Sequence, residues 1–427
     1  MTYKIAGIDV HKKMLAVVIA EVARPGEYEF QQRKFGTGAG ELRRMAEWLI
    51  EQQVEEAVME STAQYWRPVW QSLERYWQPE RRRREDSGKM SGALHLAQPE
   101  SNRARSGRRS DFADAERLVK RLVAQELILS YVPDAEQRLW RAVDRRRYQL
   151  IRDKVRMRNQ LEGLLEEADI KLTSMMSDLF GVSGRRMLKG LADGETDPAT
   201  LAALADIRLR ATPEELRDAL GACTELHPVY RKMLKMSLEE LTLMEEQIGK
   251  LDKEMAGLLE AHQSAVLRLA EVPGLGCDSA QQIITQVGPT AATFPSGKDL
   301  SSWVGVCPGE NVSAEVSTSS RSPQGNRTLR RLLNQAANAA VRAKGSIFEM
   351  VYRRMVPRMG HNKAIWAIAH RLCNLIWKIL HQGVRYEERG PAVNLKSQKA
   401  RTGRMLKELK ALGYRIEPPN PQIAGTR

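Results

Sequence analysis

The chain has 427 residues, 42% hydrophobic and 28% charged, which supplies enough apolar material for two or three folded cores and excludes a wholly disordered polymer. Its 67 Lys and Arg outweigh 53 Asp and Glu for a net charge of +14, so a polyanion is the expected partner, nucleic acid ahead of anionic lipid. No apolar run is long enough to span a bilayer, no signal-peptide h-region occurs, and Cys223, Cys277, Cys307 and Cys373 form no CxxC pair. A soluble, intracellular protein with no membrane association, disulfide framework or cysteine zinc site is expected.

From Tyr3 to about Ser130 short apolar runs alternate with a helical pattern: KIAGIDV, LAVVIAEV, a helix through ELRRMAEWLIEQQ, then VEEAVMES. This order predicts an α/β domain over 1–130 whose first strands pair before its first helix. Over 131–267 the pattern changes to long charged helices. Leu234, Leu241, Ile248 and Met255 recur every seven residues, with Met244, Leu251 and Leu258 three after the last three of them, the seam of a short coiled coil. Gly and Pro in GVSGRRMLKGLADGETDPATLAAL interrupt it, so two helical arms joined by a small subdomain are expected. Residues 268–385 hold PGLG, the helix-like SAQQIITQVG, the serine-rich GENVSAEVSTSSRS and helices through 329–344 and 362–382, a mostly helical C-terminal domain. The 386–427 tail is basic, interrupted by Pro and expected to be partly flexible.

The strongest chemical signal is acidic. Asp9 ends the run IAGID and Glu60 ends VEEAVME, and a carboxylate at a strand end projects into a crevice while its strand stays in the core. Asp111 and Asp114, three apart at the start of a predicted helix, share one side of it. Four carboxylates converging would repel unless divalent cations neutralised them, and oxygen donors favour Mg²⁺ or Mn²⁺, which support phosphodiester cleavage. Caps and first-turn acids explain each residue singly; the combination in so basic a chain favours catalysis. His11, two residues past Asp9, is a candidate proton carrier.

Arg103, Arg105, Arg108 and Arg109 precede Asp111 and Arg117 follows Asp114, suited either to pairing with the acids or to gripping a phosphate backbone. Arg321, Arg327, Arg330, Arg331 and Lys363 are further candidate nucleic-acid contacts. PGLG allows a tight turn whose following helix start can bind phosphate, although a turn without a ligand fits nearly as well. Phe294 and Trp303 read as packing residues. Among the hydroxyls of 309–322, composition alone selects none.

GIDVHK with Asp9, the ME of Glu60 ahead of STAQYW, and SDFADAERL with Asp111 and Asp114 resemble the DEDD set of the bacterial transposase family of insertion sequences 110, 116 and 902, including the insertion sequence 1111 subgroup. PGLG, SSWVGVCPG before a serine-bearing stretch, and G-N-x-x-LRR at 325–331 resemble its C-terminal transposase domain. The resemblance implies a ribonuclease-H-like, RuvC-type fold for 1–130. It implies a DNA recombinase in which Mg²⁺ held by Asp9, Glu60, Asp111 and Asp114 assists attack of a serine on the scissile phosphate. The position after GVCPG puts that serine at Ser313. Implied partners are donor and target DNA, a structured noncoding guide RNA and further copies of the chain as dimer or tetramer, acting in the bacterial cytoplasm at the nucleoid. STAQY stands where many relatives have ATG, and 81–84 is a basic insertion. The rival reading is a metal-dependent, structure-specific nuclease or Holliday-junction resolvase that uses water, with Ser313 incidental. A non-enzymatic rival is a basic structural or RNA-binding protein.

Overall fold

The computed structural model describes residues 3–24, 27–60, 63–77, 94–102, 110–307, 311–313, 316–319, 322–388 and 403. The chain divides into two compact units, Met1–Asp134 and Ala135–Arg427. A mixed β-sheet builds the first, and the second is mostly helical.

In the first unit β1 (Tyr3–Val10), β2 (Met14–Arg24) and β3 (Glu27–Gly36) form an antiparallel meander before α1 (Ala39–Glu51), while β4 (Glu56–Glu60) and β5 (Leu94–Ala97) add parallel to β1. The strand order is β3-β2-β1-β4-β5. Pairing before the first helix agrees with the sequence reading. The strand β3 was not among the predicted runs, because EYEFQQRKFG is mostly polar and its strand lies at the sheet edge. Next come α2 (Trp66–Ser72), a π-helical turn at Leu73–Trp77 and α3 (Asp111–Val123).

The two-residue period of β1 divides its side chains between the faces of the sheet. Ala6, Ile8 and Val10 enter the core that holds Met45 and Leu49 of α1. Ile5 joins Ala115 and Val119 of α3 on the other face. Gly7 lies between Ile5 and Asp9 on that second face, and a Cβ there would stand 2.3 Å from the carbonyl oxygen of Ala115. The missing side chain is therefore what lets α3 press against β1.

In the second unit α4 (Ala135–Glu167) and α6 (Pro228–Leu258) run antiparallel, with Trp140 in one core with Met255, Lys154 paired to Glu245 at 2.8 Å and Leu161 in one core with Leu234 and Leu241. The heptad positions Leu234, Leu241 and Met255 are buried within the chain. The seven-residue spacing thus builds an antiparallel helix pair packed with its neighbours, not clear coiled-coil arms. The interrupting segment forms α5 (Val182–Asp193) and short helical pieces at Pro198–Ala202 and Pro213–Ala219.

A second core of this unit gathers α7 (Gln263–Ala270), α8 (Cys277–Val287), α9 (Gly297–Val304), α10 (Arg327–Ala340) and α11 (Ile347–Gln382). Helix α11 holds Pro357 and breaks at Gly360 (φ 77°, ψ 169°), which is why only its second half shows as a regular pattern in the sequence. In PGLG, Gly274 has φ +88° and lies so close to α10 that a Cβ would meet the Ala336 carbonyl oxygen at 2.3 Å, so the turn serves packing. The Phe294 and Trp303 rings, 5.1 Å apart, also belong to this core, as read from the sequence. The serine-rich stretch contains a small antiparallel hairpin, β6 (Asn311–Ser313) and β7 (Val316–Ser319). Among the described residues no helix is long and apolar enough to cross a membrane.

Candidate metal centre

Asp9 lies on the face of β1 that α3 covers, by the same alternation that places Ile5 there. Strand β4 runs parallel beside β1 with Ile8 opposite Met59, so Asp9 and Glu60 are the next residues along two neighbouring strand ends. Val58 contacts Leu118 of α3, which puts Glu60, two residues on, on the α3 side as well. Ser110 caps α3 by accepting a hydrogen bond from the Ala113 N–H at 3.2 Å, and Asp111 and Asp114 follow in the first turn. The favourable helix dipole lowers the cost of holding two acids there.

These elements bring donor atoms together. His11 Nε2 lies 3.0 Å from Asp9 Oδ2 and 3.3 Å from Asp111 Oδ1. One ligand atom from each of Asp9, His11 and Asp111 falls within 4.8 Å of the others, a grouping able to hold a metal ion. The Asp9 side chain is only 14% exposed, whereas those of His11 and Asp111 are 48% and 40% exposed, so the group opens to solvent at His11 and Asp111. Burial pushes the Asp9 carboxyl above the usual range; the neighbouring His11 opposes this, and the charges of Asp114 and Glu60 add to it. Glu60 and Asp114 are therefore close enough to be felt at Asp9, and the residual repulsion is of the kind a divalent cation relieves. Lys34 Nζ, 3.8 Å from Asp111 Oδ2, supplies a partial counter-charge from the edge strand.

Around the acids stands a support that the sequence did not reveal. Asn102, 3% exposed, donates from Nδ2 to Glu60 Oε2 at 2.9 Å. Arg117 bonds the Asn102 carbonyl oxygen at 3.1 Å and Asp114 Oδ1 at 2.6 Å. One arginine thus ties the segment that orients Glu60 to the helix that carries Asp114. A partly exposed ion pair of this kind contributes under about 1 kcal/mol to stability, so its consequence is position. Asn102→Ala is expected to weaken Mn²⁺ binding about 10- to 100-fold by titration calorimetry, the usual effect of losing a group that orients a ligand. An unchanged affinity would show that Glu60 needs no such support, or no metal. Only the distance between 60 and 102 hid this contact; no local motif marks it.

Other sequence-predicted residues fare unevenly. Arg117 turns inward to the acids. Arg330 donates to the carbonyl oxygens of Gly305 and Pro323 and stacks over Trp366. Arg331 lies over the Tyr148 ring at 3.6 Å. Arg327 and Lys363 are exposed. Arg103, Arg105, Arg108, Arg109 and Arg321 lie outside the described residues, as do most of the tail, the basic run 81–84 and the side chain of Ser313.

Two oxygens and an imidazole nitrogen beside further carboxylates suit a divalent cation, and such a grouping in a basic chain is of the kind found in metal-dependent enzymes of phosphate chemistry. Family comparison makes this specific. A DEDD transposase model of the IS110 type matches residues 6–169, and the model described as "Transposase IS116/IS110/IS902 family" matches 266–353. The chain belongs to this transposase family. Among curated relatives, it is 25% identical to the "Transposase for insertion sequence element IS1328" of Yersinia enterocolitica, over 66% of this chain and 74% of that one. It is 25% identical to the "Probable family 20 transposase" of Pseudomonas aeruginosa over the same shares. The "Transposase for insertion sequence element IS1111A" of Coxiella burnetii is 27% identical over 38% of this chain and 45% of the relative.

These findings correct the serine mechanism. The expectation was a composite site in which Ser313 attacks the phosphate. The matched DEDD segment instead gathers a candidate set of metal donors, Asp9, His11 and Asp111, within one unit. That grouping is consistent with metal-assisted attack by water, which calls on no serine nucleophile. It also makes His11, expected as a proton carrier, a donor in the set.

Proposed function

We propose that this transposase cuts DNA by metal-dependent hydrolysis at the Asp9–His11–Asp111 site, in the manner of RuvC-like nucleases. The observation that carries the reading is the convergence of three ligand atoms within 4.8 Å in the DEDD-matched segment. A divalent cation bound there would offset the clustered negative charge and acidify a water for attack on phosphorus. Asp9, His11 and Asp111 hold the cation, Glu60 and Asp114 complete the acidic wall, and Asn102 and Arg117 keep those two carboxylates aimed inward. Mg²⁺ or Mn²⁺ is the ion this oxygen-rich set favours.

Support for a ribonuclease-H-like fold over 1–130 comes from the order β3-β2-β1-β4-β5, three antiparallel strands followed by two parallel ones, with acids at adjacent strand ends. Residues 131–267 are assigned as a helical region, 268–385 as the transposase domain and 386–427 as its tail. Family membership and the +14 charge support donor and target DNA, a structured guide RNA and a homo-oligomer as partners in the cytoplasm. The test is DNA cleavage with Mg²⁺ by the full chain. Ser313→Ala is expected to cleave within about twofold of the unsubstituted protein, and neither should leave protein attached to DNA on a denaturing gel. A covalent adduct mapping to Ser313 overturns the hydrolytic reading.

A further inference from the structure

We propose that the solvent face of α4, continued by α10, is a binding site for the phosphate backbone of duplex DNA. The inference rests on the reading above that DNA is the substrate, and it adds where the second unit holds it.

Helix α4 turns about 100° per residue, which places Arg145, Arg152 and Arg156 within about 40° of one another on a single stripe. All three are exposed. No carboxylate shares the stripe between 138 and 160: Asp144 is buried on another side, and Asp153, which approaches Arg156 at 3.6 Å, flanks it. Among the described residues Arg145 has no acidic partner, and the contact recorded for Arg152 is with the ring of Tyr148. An amphipathic helix that pairs its charges internally would carry Glu or Asp four residues from these arginines on the same face; here position 149 is Gln.

Tertiary structure extends the stripe. Tyr148, three residues beyond Arg145, lies under Arg331 of α10 at 3.6 Å. Arg327 is one helical turn before Arg331 and is exposed, and among the described residues it makes a 3.3 Å bond to Gln324. Two helices distant in sequence thereby meet at Tyr148, where half-buried Arg331 of α10 lies beside the stripe. The ring is half-buried with the Arg331 guanidinium over it, so the stripe offers no fully exposed aromatic.

That composition decides the occupant. Sequence-reading of single-stranded RNA relies on aromatic faces that stack splayed bases, and this surface has none to offer. A row of guanidinium groups matches phosphate oxygens. Over the roughly 16 Å from Arg145 to Arg156, duplex DNA presents about five phosphates per strand, enough to engage each arginine at once.

The test measures binding of a 30-base-pair duplex to the full chain by fluorescence anisotropy, in EDTA and over a range of NaCl. The triple variant Arg145→Ala, Arg152→Ala, Arg156→Ala should flatten the slope of log K against log salt by about 2 to 3, with an unchanged circular dichroism spectrum. A control that removes three exposed lysines of α6, Lys232→Ala, Lys250→Ala and Lys253→Ala, should change the slope by less than about 1. Equal losses in both variants would reduce the effect to net charge and overturn the proposal. So would a larger loss for a 30-nucleotide single-stranded RNA titrated in parallel than for the DNA duplex, or a slope left unchanged by the stripe variant. Because no divalent metal is present, the outcome is independent of whether cleavage proceeds by water.

Discussion

Asp9→Asn is expected to lower metal-dependent DNA cleavage on the order of 10³-fold or more, since a buried charged ligand at the reacting phosphate is lost. The substitution keeps the shape of the side chain, and stability should move the other way. Burial holds the Asp9 carboxyl above its ordinary pKa, with Asp114 and Glu60 contributing. A group raised on folding favours the folded state when protonated, and that contribution is lost as pH rises through its folded value. At neutral pH the ionised Asp9 therefore works against the fold, and a neutral Asn relieves the repulsion. In EDTA the variant should melt at or above the temperature of the parent protein. Added Mn²⁺ should raise the melting temperature of the parent alone, through binding to the native state. A variant that still cleaves at a tenth of the normal rate, or is equally stabilised by Mn²⁺, would remove Asp9 from the site.

Gly7→Ala is expected to destabilise the first unit by about 3 kcal/mol, the upper part of the range for overpacking. The added Cβ would meet the Ala115 carbonyl oxygen at 2.3 Å and Val119 Cγ2 at 2.8 Å. The first is backbone and cannot rotate away, so α3 must shift as a whole. Asp111 and Asp114 ride on that helix; their displacement should weaken Mn²⁺ binding at least about tenfold even in molecules that stay folded. Urea unfolding and calorimetry read the two effects separately. A Gly7→Ala protein of normal stability would mean that α3 does not rest on β1 as described.

The local part of this architecture was legible from residue order. The apolar runs IAGIDV and EEAVME mark β1 and β4, and a strand ending in an acid already suggests where that acid points. Asp111 and Asp114 in DFADAERL mark a helix start, because first-turn acids are local chemistry. Less legible were features whose cause lies across the fold. Strand β3 is polar because it stands at the edge, and its edge position depends on what β2 pairs with. The seven-residue spacing in α6 reports a long apolar seam but not its partner, which turns out to be the same chain.

At the site the division is sharper. Residue order alone singled out the four acids as candidates, and gave the basic character of the chain and the motifs that resemble its transposase family, since each is a matter of residue type and short spacing. Only the tertiary structure decided that His11 stands between Asp9 and Asp111, that Asn102 holds Glu60, and that Arg330 is occupied by carbonyl oxygens. Together with the family match, it also turned the reading away from the attacking serine, by gathering a candidate metal-donor group inside the first unit. The reason is geometric: coordination and hydrogen bonding act over about 2 to 3 Å, and neighbours at that range are set by how β1, β4 and α3 pack, which no spacing along the chain records.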